Sequence, residues 1–198
     1  MKFNNGAVIH EFILGGQRSG KSRRAEVLAQ QWLAQNSSNA AVLVATAQAW
    51  DDEMRLRISR HQADRAERVV GMQTVEEPFA LGETITRLSQ AHTLIVVDCL
   101  TLWLTNFLMP VPIADQPASL RDTTMPIAIF LSALKQAAGP VILVGNEIGM
   151  GVIPMGAEVR QFVDHLGRLN QDVANVCQRV TLMVAGQSMV VKDSACSV

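Results

Sequence analysis

Short apolar runs of strand length recur along the 198 residues, at Val8 to Leu14, Ala41 to Ala45, Leu94 to Val97, Val141 to Val144 and Leu182 to Ala185, with helical patterns between most of them. Continuous apolar runs are the mark of strands covered on both faces, and their alternation with helical segments predicts a mainly parallel sheet flanked by helices. A first helix is expected over Lys21 to Asn36, stopped by the polar run Asn36-Ser37-Ser38-Asn39. A second should begin near Asp51, where Asp51, Asp52 and Glu53 set negative charge against the positive end of the helix dipole. From Gly156 to Arg179 the residues Val159, Phe162, Val163, Leu166, Leu169, Val173 and Val176 fall on one stripe, so a long helix is expected to turn that side to the core, or to core plus a subunit interface. Leu182 to Ala185 and Met189 to Lys192, separated by Gly186-Gln187-Ser188, predict a hairpin at a sheet edge. The stretch Pro110 to Pro126 holds four of the seven prolines and no period, and reads as a loop, an excursion from the core or an oligomer contact.

Composition adds limits to this picture. A chain of this length supports one sizeable core, and it reads as a single domain over residues 1–198, with 1–7 and 193–198 as frayed ends. Net charge is −1 and the basic residues are dispersed, which leaves no electrostatic footprint for nucleic acid or an anionic membrane. The hydropathic stretch Thr93 to Met109 contains Asp98, has Asn106 near its end and is followed by Pro110 and Pro112, so it reads as strand plus helix rather than a membrane span. His10 and Glu11 interrupt the first apolar run and a glycine-rich stretch follows at once, which makes it a strand rather than a signal peptide; a cytoplasmic protein is expected. Cys99, Cys177 and Cys196 form no C-x-x-C pair, which fits a reducing compartment and argues against zinc.

The strongest chemical signal is Gly15-Gly16-Gln17-Arg18-Ser19-Gly20-Lys21-Ser22, a phosphate-binding G-x-x-x-x-G-K-[ST] between a strand and a helix. In such a loop backbone N–H groups and the helix N-terminus surround the phosphates, Lys21 reaches the β and γ phosphates, and the Ser22 hydroxyl can ligate magnesium. Leu94 to Asp98 is a buried strand ending in an acid, so Asp98 is a second candidate magnesium ligand, the alternative being a cap for the next helix. Asn146-Glu147-Ile148-Gly149-Met150-Gly151 follows another strand and should line the same crevice, unless its glycines only shape a turn. On spacing alone, His61 among arginines reads as a solvated side chain.

Several segments occur together in the order seen in one family. They are Gly15 to Ser22, Ala45-Thr46-Ala47-Gln48, Asp51-Asp52-Glu53-Met54, Arg57-Ile58 with His61, and Thr74-Val75-Glu76-Glu77-Pro78. Val97-Asp98-Cys99-Leu100-Thr101, Trp103-Leu104-Thr105-Asn106 and Asn146 to Gly151 with Pro154 complete the series. From about residue 11 to 192 the chain resembles the bifunctional adenosylcobinamide kinase and adenosylcobinamide-phosphate guanylyltransferases of cobalamin (vitamin B12) biosynthesis. The resemblance implies a P-loop NTPase-like fold and two reactions: phosphorylation of adenosylcobinamide by ATP or GTP, then transfer of GMP from GTP to the product through a GMP-histidine intermediate. It implies that His61 is the nucleophile, that Ala45, Thr46, Ala47, Gln62, Ala63, Asp64, Arg65, Glu76 and Asp98 line the nucleotide site beside Gly15 to Ser22, and that the protein is a homotrimer. Glu76 would accept from guanine N1–H and the exocyclic amine. The family commonly has His-His-x-x-Gly-Arg-Pro where this chain has Arg60-His61-Gln62-Ala63-Asp64-Arg65-Ala66. Two other readings stay open, a P-loop regulatory NTPase and an enzyme retaining one of the two activities; no N-K-x-D guanine signature is present to favour the first.

Overall fold

The computed structural model describes residues 8–49, 52, 55–56, 67–109 and 122–194. Within them the chain runs β1 (Glu11–Gly15), α1 (Lys21–Gln35), β2 (Ala40–Ala45), β3 (Met72–Glu76), α2 (Leu81–Leu88), β4 (Thr93–Asp98), α3 (Leu100–Leu108), α4 (Thr124–Gln136), β5 (Val141–Val144), α5 (Ala157–Val176), β6 (Arg179–Val184) and β7 (Gln187–Asp193). The strands form one sheet in the order β3-β2-β4-β5-β1-β6-β7. Every neighbouring pair is parallel except β6 with β7, so the expected P-loop NTPase-like sheet with its C-terminal edge hairpin is what the chain builds.

Alternation along the strands divides the core in two. Phe12, Ile95, Val97, Leu143 and Val180 point to one face, where Leu81, Ile85, Trp103, Phe130, Leu134, Leu166 and Val173 from α2 to α5 cover them. Their chain neighbours Ile13, Val96, Ile142 and Val144 point to the other, against Ala25, Leu28 and Ala29 of α1. Trp103 is anchored by its indole N–H, which donates to the Phe79 carbonyl at 2.9 Å, and it meets Phe107 edge-on with ring centroids 5.5 Å apart.

Several expectations need correction. β1 starts three residues later than the apolar run and continues into Gly15, because Val8 is exposed while Glu11 is buried and paired. The edge strand β3 carries no apolar run and was not anticipated; its pattern is half-buried to exposed, as an edge allows. Pro126 lies in the first turn of α4 rather than in a loop, where a missing N–H costs no helical bond; residues 110–121 of that stretch lie outside the described residues. The long helix is shorter than its pattern, since Arg179 already belongs to β6, and Val159 is exposed rather than core.

The hairpin turn is Ala185-Gly186, both at positive φ (50° and 79°), so Gln187 and Ser188 are strand residues. Asp193 is not frayed: it ends β7 and accepts from Arg179 at 2.6 and 3.1 Å. Residues 1–7 and 195–198 lie outside the described residues, as does most of the helix expected from Asp51, of which Asp52, Arg55 and Leu56 are helical.

Candidate active site at the carboxyl edge of the sheet

Parallel strands bring their C-terminal ends to one edge, and register aligns those ends closely. Ala45 pairs with Glu76 on one side and with Asp98 on the other, Asp98 pairs with Val144, and Val144 pairs with Ile13, two residues before Gly15. The loops that follow therefore share one rim.

The phosphate loop is shaped by two close approaches. A Cβ on Gly15 would stand 2.4 Å from the Met183 carbonyl oxygen and 2.6 Å from Ser19 Oγ, so only glycine fits. Gly20 takes φ 102° at the N-cap of α1 with no side-chain cap, which leaves the first N–H groups of the helix for a ligand. The Ser19 hydroxyl is buried without a partner inside this loop. Lys21 is buried, and its ammonium donates to the Gly16 carbonyl at 2.6 Å, folding it over the loop where phosphate oxygens would replace that carbonyl. Burial lowers its pKa, while the Cys99 and Asp98 side chains act to raise it. Gly16, Gln17 and Arg18 are exposed, and Ser22 is half-buried one residue past Lys21.

Hydrogen bonds stitch the rim together. Thr46 is fully buried, with its hydroxyl donating to the Cys99 carbonyl and accepting the Cys99 N–H, so it shapes the edge from beneath. The Asn106 amide donates at 2.9 Å to both the Thr46 and Pro78 carbonyls, joining the loops after β2 and β3. Thr101 Oγ1 accepts the Asn146 N–H at 2.8 Å, Asn170 donates to the Asn146 carbonyl, and the Glu147 N–H donates to the Gly15 carbonyl at 3.2 Å. On the far side the Gly186 N–H donates to the Ser19 carbonyl at 3.0 Å, so the hairpin braces the phosphate loop. Glu77 caps the next turn through the N–H groups of Phe79 and Ala80.

The sequence-derived site residues Gly15 to Ser22, Ala45, Thr46, Ala47, Glu76 and Asp98 thus come together along one edge, with Glu76 exposed and Asp98 half-buried. His61, Gln62, Ala63, Asp64 and Arg65 lie outside the described residues. The supporting roles of Thr101, Asn170 and the Met183 to Gly186 brace were not anticipated, because a buried polar residue or a distant turn reveals its partners only in the fold. The hydroxyl of Ser22 and the carboxylate of Asp98 are hard oxygen donors of the kind a magnesium ion takes when phosphates supply its remaining ligands.

A solved structure, the flagellar accessory protein FlaH from Methanocaldococcus jannaschii, covers 96% of this chain and 82% of its own, with a TM-score of 0.50 and 12% identity, a likeness of fold. The bifunctional adenosylcobalamin biosynthesis protein CobP of Pseudomonas aeruginosa is 44% identical over 184 residues, 93% of this chain and 98% of the relative. The bifunctional adenosylcobalamin biosynthesis protein CobU of Escherichia coli is 33% identical over 91% of this chain and 98% of its own. Residues 11–191 match the model of the cobinamide kinase / cobinamide phosphate guanyltransferase family, and the chain belongs to that family.

Proposed function

We propose that this chain carries both activities of its family within one domain. In the first step the aminopropanol hydroxyl of adenosylcobinamide attacks the γ phosphorus of a nucleoside triphosphate; an O–P bond forms, the nucleoside diphosphate leaves and the hydroxyl proton is lost to solvent. In the second, a His61 imidazole nitrogen attacks the α phosphorus of GTP and pyrophosphate leaves. The phosphate of adenosylcobinamide phosphate then displaces the histidine, breaking the P–N bond and giving adenosylcobinamide-GDP. Splitting one displacement into two suits imidazole, which is a neutral nucleophile above its ordinary pKa of about 6.5.

The observation that carries this reading is the convergence of Lys21 and Asp98 on one rim of a chain matched by the family over residues 11–191. Lys21 and the α1 N-terminus would bind and offset phosphate charge, and the Ala45 to Ala47 segment with Glu76 would hold the guanine nucleotide, alongside Gln62 to Arg65. Ser22 and Asp98 would hold magnesium, which neutralises charge on the phosphates when bound. We place the protein in the cytoplasm, as a homotrimer. Among the described residues no helix is long and apolar enough to cross a membrane.

Intact-protein mass after incubation with GTP and magnesium tests the transfer step. Wild type should gain an acid-labile GMP adduct that His61→Ala lacks; no adduct on either, with nucleotide binding intact, would sink the nucleophile assignment. A kinase assay with ATP and adenosylcobinamide tests the first step separately.

A further inference from the structure

The loop between β5 and α5 turns an unusual amount of apolar surface outward. Relative exposure is 41% at Ile148, 79% at Met150, 96% at Val152, 77% at Ile153 and 95% at Met155. No charged residue occurs from Ile148 to Ala157. Isolated exposed apolar side chains are ordinary, but five within eight residues mark a surface that something covers.

This loop is held in place. Its Glu147 carboxylate accepts the Gly149 N–H at 2.7 Å, and Arg160 donates to the carbonyls of Pro154 and Met155 at 3.0 and 2.6 Å. Its first turn is fastened to the phosphate loop by the Glu147 N–H to Gly15 carbonyl bond, and β5 is the direct sheet neighbour of β1. The apolar side chains are thus presented from a braced backbone, beside the place where a γ phosphate must be delivered.

We propose that Ile148 to Met155 form the platform on which the corrin macrocycle of the acceptor rests, which deepens the functional reading above and depends on it. A corrin ring is a broad plate with methyl-bearing faces and a rim of uncharged amides, so most of its surface asks for apolar contact. The arm that bears the reacting hydroxyl leaves that rim and is short. Its ring must therefore lie next to the phosphate loop, and this loop abuts it with apolar, uncharged surface.

The test uses Val152→Asp and Met155→Asp in the full chain, both at positions so exposed that folding should not suffer, with Met155→Leu as the conservative partner. In the kinase assay the KM for adenosylcobinamide should rise at least tenfold in the aspartate variants, while KM for ATP stays within twofold and Met155→Leu behaves as wild type. The GMP adduct formed from GTP without any corrinoid should be unchanged, as should the molar mass by light scattering. Equilibrium binding of adenosylcobinamide, read by tryptophan fluorescence, should weaken by the same factor. An unaltered acceptor KM and affinity would overturn the proposal, and so would a changed molar mass, which would assign the loop to a subunit contact. Absence of turnover and adduct in wild type that still binds adenosylcobinamide through these residues would instead fault the functional reading.

Discussion

Thr46 and Cys99 hold each other in both directions: the threonine hydroxyl donates to the cysteine carbonyl at 2.7 Å and accepts the cysteine N–H at 2.9 Å. The pair fastens the end of β2 to the residue that follows Asp98. Thr46→Val keeps the shape and removes both bonds, leaving a buried N–H without its acceptor. We expect a loss of about 1–3 kcal/mol in denaturant unfolding. Kinase kcat should fall with it, because Asp98 loses its lateral support, whereas a variant with lowered stability and wild-type kcat would show that the pair serves packing alone.

Gly15→Ala should be far worse than its size suggests. The new methyl would meet the Met183 carbonyl, which belongs to a paired strand and cannot swing aside. Nucleotide affinity, measured by calorimetry, should drop at least tenfold and Tm should fall. Gly16→Ala is the control, since a Cβ there meets nothing within 4 Å.

Beneath the phosphate loop, Glu11 accepts two bonds from Arg24 at 2.8 and 3.0 Å and a third from the Thr181 hydroxyl at 2.8 Å. The carboxylate is buried, so removing its partner strands a charge. Arg24→Leu should cost about 3–5 kcal/mol, and Glu11→Gln in the same chain should recover a large part of it. If the double variant is no more stable than the single one by chemical denaturation, the cost lies in packing rather than charge.

His10 is buried, accepts the Val141 N–H on Nδ1 at 3.2 Å and is held neutral: burial pulls its pKa down to about 4, partly offset by a bond to the Leu134 backbone. The unfolded chain takes up a proton at about pH 6.5 and the folded chain does not until near 4. Stability from this group is therefore complete above pH 6.5 and declines as pH falls towards 4. Unfolding free energy measured across that window should slope more steeply for wild type than for His10→Gln, by roughly 1 kcal/mol or more in total. Parallel curves would rule the histidine out as the source.

How much was legible follows from where each element sits. β4 and β5 are buried on both faces, so their apolar runs announced them, and Asp98 marked the end of one. Met72 to Glu76 lie at the sheet edge, where polar residues are tolerated; the strand was invisible, and only family resemblance brought Glu76 forward. The final turn was misplaced because Gly-Gln-Ser looks like a turn, whereas strand register puts Ala185 and Gly186 at positive φ. The phosphate loop could be read as a motif, but its support by Thr101, Asn106 and Asn170 could not, since buried amides and hydroxyls find partners far away in the chain.

A ribosome delivers Gly15 to Ser22 early and Met183 to Gly186 late, yet the Met183 carbonyl presses on Gly15 and the Gly186 N–H holds Ser19. The loop expected to hold the triphosphate is therefore finished from both directions of the chain, and a nascent polypeptide halted before β6 lacks both of these contacts.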